Sequence, residues 1–192
     1  MSLNTLFFKN VDRVISRILL IGPVIRLIQY LLDKWYKKNG EHKVTFYGAM
    51  NGWYYGDNAK HLFEYAIAID IKDTIFWVTR NYALYSELKS KQKPVLYMYS
   101  VAYFRKLAKC RKAIYTDSLR DILTSPFITH KSLRTINLRH GRSVKRVRYA
   151  RKNHKISNKE KIERNHETNL IKYCISTSKF ISKLQEECLL LG

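Results

Sequence analysis

The sequence predicts an α/β protein with a Rossmann-like parallel sheet whose faces carry helices. Short runs rich in β-branched and aromatic residues recur after residue 40, and segments with helical spacing of apolar residues separate several of them. Strands that alternate with helices at this interval are typical of βα units, which build parallel sheets. Hydrophobic residues make up 46% of the chain and aromatic residues 13%, which is enough for a core despite a net charge of +21.

Six strands are predicted, each from a short run of apolar and β-branched residues. They are Lys43–Ala49, Ile75–Arg80, Val95–Ser100, Ala113–Asp117, Thr135–His140 and Lys172–Thr177. Apolar spacing near 3.6 predicts helices at Asn58–Ile69, Val101–Cys110 and Ser178–Leu190. Asp57 and Asn58 are expected to cap the first of these, and contact with a substrate is the alternative role for the pair. The polar stretch Arg151–Glu167 predicts an exposed mobile loop or a surface helix.

The first 40 residues predict two amphipathic helical pieces with a kink at Gly22 and Pro23. The longest uncharged run, Ile18–Ile25, is too short for a spanning helix, which needs about 20 mainly apolar residues. No small-residue cleavage site follows an apolar core, so a removed signal peptide is not expected. Two interpretations stay open: the helix lies in the plane of an anionic membrane surface, or it packs on the core or on a partner.

The positive charge is concentrated in the second half, where 22 Lys and Arg residues face 7 acidic ones. A pI near 10 indicates an anionic partner, which could be nucleic acid, lipid headgroups or a phosphate-bearing substrate. The stretch Lys131–Lys159 carries no acidic residue and is the basis of an alternative, a nucleic-acid-binding protein. The spacing of the histidines and of Cys110, Cys174 and Cys188 predicts neither a metal site nor a disulfide framework.

The sequence RHGRSVK, residues 139–145, is the strongest candidate for chemistry. His140 ends a predicted parallel strand, and ligands bind beyond the carboxyl ends of such strands. Gly141 permits a tight turn, while Arg142 and Lys145 add positive charge for a phosphate group. Histidine is suited to take a proton from a hydroxyl near neutral pH. The alternative is a strand-end histidine in a basic surface. No GxGxxG or GxxxxGK[ST] motif is present.

The order of motifs from Phe46 onward resembles the first half of the CDP-glycerol glycerophosphotransferase family, the teichoic-acid-type polyol-phosphate transferases. His140, Gly141 and Lys145 match its W-H-G-T-P-L-K signature. Two further blocks resemble motifs after the first strand and before the fourth. Their residues are Phe46, Gly52, Tyr55, Asp57, Asn58 and Lys60, then Ser100, Tyr103, Leu107, Ala108 and Lys109. A last block carries Ser178, Phe180 and Glu187.

The resemblance implies a GT-B architecture in which residues 41–192 form the acceptor-side domain, equivalent to the N-terminal domain, and residues 1–40 form a membrane-associating helical segment. It implies His140 as general base and Gly141, Arg142, Lys145, Asp57 and Asn58 as substrate or phosphate contacts. CDP-glycerol or a related CDP-polyol would be the donor, without a metal or other cofactor.

By the same resemblance, the partners would be a lipid-linked polyol-phosphate acceptor and an anionic membrane at the cytoplasmic face. No specific nucleic acid is expected. The resemblance also implies that the donor-binding domain is missing from this chain, and we therefore expect a truncated or split enzyme of low activity alone, with a separate chain as a candidate supplier of that domain. A membrane-bound scaffold without catalysis is the remaining alternative.

Overall fold

A computed structural model describes residues 22–38, 43–139 and 158–175 of the chain. Its first helix, α1 (Gly22–Lys38), precedes six strands: β1 (Val44–Tyr47), β2 (Thr74–Thr79), β3 (Val95–Tyr97), β4 (Cys110–Tyr115), β5 (Arg134–Asn137) and β6 (Ile171–Cys174). Helices α2 (Asp57–Ala68), α3 (Tyr82–Ser90) and α4 (Val101–Leu107) follow β1, β2 and β3, and α5 (Asn158–Leu170) precedes β6. Two short 3₁₀ segments, η1 (Met50–Gly52) and η2 (Leu119–Asp121), follow β1 and β4.

All six strands form one parallel sheet in the order β3-β2-β1-β4-β5-β6. The predicted α/β fold and all six predicted strands are therefore confirmed, with ends that differ by a few residues. At the centre, Phe46 of β1 pairs with Phe76 of β2 on one side and with Ala113 of β4 on the other.

Both faces of the central strands are buried, which explains why the strands are almost continuously apolar. Phe46 belongs to a core cluster that also includes residues of α1, α4 and the segment after β4. Its neighbour Tyr47 points to the opposite face, where α2 and α3 pack on Trp77 and Ile114. Burial raises the pKa of Tyr47 to about 12.

Two connections differ from the prediction. Helix α3 was not predicted, because its apolar contacts come mainly from Leu84 and Leu88, a single i,i+4 pair. Asn81 starts it by accepting hydrogen bonds from the N–H groups of Ala83 and Leu84. The helix predicted to reach Cys110 ends at Leu107, and β4 begins at Cys110.

Helix α1 packs on the core through one side and leaves another side open. Ile28 and Leu32 contact the core, and Gln29 and Asp33 bond to the backbone of Phe127 and Lys131. A second apolar side is exposed, with Leu27, Tyr30, Leu31 and Trp35 between 46% and 62% accessible. Packing on the core is thus observed. The first predicted amphipathic piece and the helix predicted at 178–190 lie outside the described residues.

Helix α5 begins inside the polar stretch that was expected to be a loop or a surface helix and continues three residues beyond it, to Leu170, and its C-terminal half packs on the rest of the fold. Glu167 is 7% exposed and accepts a hydrogen bond from the N–H of Leu119 at 3.2 Å. His166 bonds through Nε2 to the carbonyl of Pro126 at 3.1 Å, and its ring lies 4.8 Å from that of Phe127. Burial lowers the pKa of His166.

Candidate functional site

The sheet order identifies where a ligand site is expected. The chain runs outward from β1 through β2 and β3 in one direction and through β4, β5 and β6 in the other. The carboxyl ends of β1 and β4 therefore form the switch point at which open α/β sheets bind their ligands. The two segments that leave this point are 48–56 after β1 and 116–121 after β4.

Asp121 joins these two segments. Its side chain is fully buried. One carboxylate oxygen accepts the N–H of Asn51 at 2.7 Å, and the other accepts those of Thr116 at 3.1 Å and Asp117 at 2.8 Å. Burial raises the pKa of this carboxyl, while the three N–H donors act in the opposite direction. The contact fixes the η1 segment against the end of β4.

The η1 segment has an unusual backbone. Met50, Asn51 and Gly52 all have positive φ angles, of 51°, 54° and 75°. Positive φ is uncommon for residues other than glycine, and such conformations persist only where surrounding contacts hold them. At Gly52, an added Cβ would also lie 2.7 Å from the terminal methyl of Met98. The positive φ and the neighbouring Met98 side chain both favour glycine at this position of the motif.

Arg80, the residue after β2, fixes the other end of the same segment. It is only 4% exposed, and its Nη2 donates to the carbonyl of Arg120 at 2.9 Å and to that of Leu123 at 3.1 Å. Its backbone N–H and the hydroxyl of Thr79 both donate to the carbonyl of Gly52, at 2.9 and 2.8 Å. Sequence reasoning missed Arg80, although an arginine directly after a buried strand is a usable signal.

Asn58 lies beside the end of β5, where the predicted catalytic sequence begins. Its side-chain N–H₂ donates to the carbonyl of Arg139 at 2.7 Å. Arg139 has a φ of 60°, and its N–H donates to the side-chain oxygen of Asn137 at 2.9 Å. Two side chains thus hold the backbone of the residue that precedes His140. His140, Gly141, Arg142 and Lys145 themselves lie outside the described residues.

The structure separates the roles of Asp57 and Asn58. Helix α2 begins at Asp57, one residue earlier than predicted, with Gly56 as its N-cap, and the carboxylate of Asp57 accepts the N–H of Asn58 at 2.7 Å. Asn58 does not cap the helix, because its side chain is used on Arg139. Asn58 thus reaches the first residue of the candidate catalytic sequence.

The second family block has a structural role in the described part of the chain. Ser100 caps α4 by accepting the N–H of Tyr103 at 3.1 Å. Tyr103 is fully buried and its hydroxyl donates to the carbonyl of Ile122 at 3.0 Å. Leu107 and Ala108 are buried in the same cluster. These residues position the segment after β4.

The aromatic residues after β1 border a cleft of about 630 Å³ between α2 and α3. Tyr55 packs against Phe63 and Trp77, and Tyr54 is 68% exposed.

The Tyr55 hydroxyl donates to Glu64, and the ammonium of Lys93 contacts both oxygens of that carboxylate, at 2.8 and 2.6 Å. Burial, together with the bond to Glu64, raises the pKa of Tyr55. Hydrogen bonds from Lys93 and Tyr55 lower the pKa of Glu64.

Residues 22–38, 43–139 and 158–175 contain no group of three or more His, Cys, Asp or Glu side chains placed to hold a metal ion. Across those ranges, no helix has the length and apolar character needed to cross a membrane.

Solved structures share this fold. The chain superposes on the wall teichoic acid polymerase TagF soaked for 30 minutes with CDPG, with a TM-score of 0.68 and 17% identity over 100% of this chain and 47% of that one. Another structure of TagF gives a TM-score of 0.67 and 16% identity over 94% of this chain and 44% of that one. The chain thus spans about half the length of these structures. No curated protein matches it by sequence.

The family comparison extends over most of the chain. The model of the family described as CDP-Glycerol:Poly(glycerophosphate) glycerophosphotransferase matches residues 32–190. This range contains α1 from Leu32 onward, the whole sheet, the η1 segment and the sequence around His140. The resemblance first noted in the motifs is therefore confirmed, and the chain belongs to the CDP-glycerol:poly(glycerophosphate) glycerophosphotransferase family.

Proposed function

We propose that this chain forms the acceptor side of a glycerophosphotransferase that extends a teichoic-acid-type or capsular polyol-phosphate polymer. The observation that carries the proposal is the hydrogen bond from Asn58 to Arg139, which lies within the family match and holds the backbone directly before His140. A base that must meet a hydroxyl at hydrogen-bond distance requires such support.

The proposed reaction is attack by a terminal hydroxyl of the acceptor on the β-phosphate of CDP-glycerol. His140 takes the hydroxyl proton, a new P–O bond forms, and the phosphoanhydride bond breaks with release of CMP. Gly141, Arg142 and Lys145 would bind the phosphate being transferred, which carries negative charge throughout. The proposed chemistry uses no metal or other cofactor. The donor would be held by a second domain of the kind that the family resemblance implies, on this chain or on a separate one.

A membrane location is proposed for the same protein. The exposed side of α1 places Leu27, Leu31 and Trp35 next to the cations of Lys34 and Lys38 on one short helix. Apolar side chains flanked by lysines are typical of helices that lie at an anionic lipid surface. Peripheral binding at the cytoplasmic face of a bacterial cell membrane would bring the active site to a lipid-linked acceptor used in cell-wall synthesis.

The decisive experiment measures CMP release from CDP-glycerol with a lipid-linked acceptor. The protein is assayed alone and with an added donor-binding domain of the same family. We expect little release alone, release when the domain is supplied, and loss of that release in His140→Gln. His61→Gln is the matched control, since His61 is an exposed histidine on α2. Full release by His140→Gln would contradict the proposal.

The two alternatives predict different results in simple binding experiments. A scaffold would sediment with anionic liposomes but show no response to CDP-polyol in the supplemented assay. A nucleic-acid-binding protein would shift a generic DNA or RNA probe, with an affinity that falls steeply as salt is raised.

A further inference from the structure

The cleft between α2 and α3 is separate from the contact between Asn58 and Arg139. Lys60 lines it, and Lys60 follows Asn58 by two residues on α2. Two residues correspond to about 200° of rotation around a helix, so the two side chains leave α2 on nearly opposite sides. The cleft and the Asn58–Arg139 contact therefore lie on different sides of the first turn of α2.

One wall of the cleft is an aromatic surface that local contacts hold in place. Trp53, Tyr54 and Tyr55 are consecutive, and the side-chain N–H₂ of Asn81 donates to the carbonyl of Trp53 at 3.2 Å. Tyr54 is 68% exposed at the mouth of the cleft. A large exposed ring on a fixed backbone offers apolar area to a ligand at little entropic cost.

The remaining lining carries both signs of charge. Three ammonium groups, those of Lys60, Lys91 and Lys93, are accompanied by the carboxylates of Glu64 and Glu87. Lys93 pairs with Glu64 at 2.6 Å, and Lys91 pairs with Glu87 at 2.6 Å. The formal balance of the cleft is therefore one positive charge.

This combination indicates the chemical class of the ligand. Carboxylates accept hydrogen bonds from hydroxyl groups, ammonium groups donate to phosphate, and an exposed ring packs against C–H groups. A nucleoside diphosphate would bring two or more negative charges next to two carboxylates, which a single excess positive charge does not offset. A chain in which hydroxyl-bearing carbons alternate with single phosphates offers hydroxyl groups to the carboxylates, phosphates to the ammonium groups and C–H groups to the exposed ring.

We propose that the cleft binds a polyol-phosphate segment of the acceptor polymer, several repeats behind the end that reacts. Tyr54 and Trp53 contact the carbon chain, and Lys60 and Lys91 contact a phosphate. The inference rests on the proposed function for the identity of the polymer. Because the cleft and the Asn58–Arg139 contact lie on different sides of α2, acceptors longer than one repeat should bind more tightly than glycerol phosphate alone.

The test is calorimetric titration of the full chain with a synthetic glycerol-phosphate trimer, and with glycerol 3-phosphate and CMP for comparison. Two matched pairs of variants locate the site. Tyr54→Ala is compared with Tyr65→Ala, since Tyr65 is 61% exposed on α2 but does not line the cleft. Lys91→Ala is compared with Lys89→Ala, which removes the same charge from α3 outside the cleft.

We expect saturable binding of the trimer, weaker binding of glycerol 3-phosphate, and affinity losses of about tenfold for Tyr54→Ala and about threefold for Lys91→Ala. Tyr65→Ala and Lys89→Ala should leave the affinity unchanged. Three results would overturn the proposal. The first is an equal loss of affinity in both variants of either pair, and the second is the absence of saturable binding. The third is that CMP binds more tightly than the trimer and shows the same sensitivity to Tyr54→Ala.

The His140→Gln variant distinguishes a failure of the cleft proposal from a failure of the proposed reaction. Trimer binding that survives in His140→Gln but falls in Tyr54→Ala supports the cleft, even if no CMP release is ever observed. Trimer binding that is lost in His140→Gln and kept in Tyr54→Ala overturns the cleft while leaving the proposed reaction in place.

Discussion

Replacing Asp121 by alanine removes the acceptor for three backbone N–H groups at once. The N–H of Thr116 is buried, so its loss of a partner costs about 1–3 kcal/mol. The N–H groups of Asn51 and Asp117 are part-buried and can reach water, which reduces each cost to about 1 kcal/mol. The expected loss in the free energy of unfolding is therefore about 3–5 kcal/mol.

Urea denaturation followed by circular dichroism measures this loss. With an m-value of about 2 kcal/mol per molar urea, a loss of about 4 kcal/mol lowers the midpoint by about 2 M. Asp121→Asn keeps one oxygen acceptor and should lose roughly half as much. A loss under about 1 kcal/mol for Asp121→Ala, or an unchanged midpoint for Asp121→Asn, would refute the reasoning that the carboxylate holds η1 to β4.

Three further predictions concern other contacts. Gly48→Ala should cost about 2–3 kcal/mol of unfolding free energy in urea, because its Cβ would lie 2.2 Å from the carbonyl oxygen of Asp121. Gly56→Ala is the control and should be neutral, because a Cβ at Gly56 has no atom within 4 Å. His166 has a lowered pKa in the fold, so its contribution to stability is fully present above about pH 6.5 and is lost as the pH drops through the folded pKa. In thermal melts, His166→Phe should make the melting temperature depend less on pH. An unchanged pH dependence would contradict this prediction. Asn58→Ala should lower CMP release by up to about tenfold in the assay with the added donor-binding domain. The melting temperature should change by no more than a degree or two, because the substitution removes only one exposed hydrogen bond. Unaltered release would mean that Asn58 does not position the backbone before His140.

The strands could be predicted because their signal is local. TIFWVT and the AIY of CRKAIY place apolar side chains on both faces of a buried sheet, a pattern that is readable without any tertiary contact, whereas the polar Arg111 and Lys112 concealed the start of β4. Helix α3 was missed for the opposite reason. It is fixed by the cap at Asn81 and by two leucines, so its apolar stripe is too short to stand out.

The candidate site could be predicted only in part. Motif order pointed to Asn58 and to His140, but not to the bond between Asn58 and Arg139, which joins residues 81 positions apart. Asp121 and Arg80 were missed because each bonds to the backbone of a distant segment: Asp121 to Asn51, 70 positions away, and Arg80 to Arg120, 40 positions away. A buried acid in a short loop sequence looks like any surface residue until the fold is known, whereas the position of Arg80 directly after a buried strand was a signal that could have been used.

The position of β1 at the centre of the sheet has a consequence for how the chain folds during synthesis. One neighbour, β2, leaves the ribosome soon after β1, but the other, β4, begins only at Cys110. At about 5–20 residues per second, synthesis from Tyr97 to Cys110 takes about 1–3 seconds, during which a β3-β2-β1 half-sheet leaves one edge of β1, a strand buried along its whole length, unpaired. A nascent chain stalled between β3 and β4 is thus the form most exposed to aggregation and most in need of a chaperone.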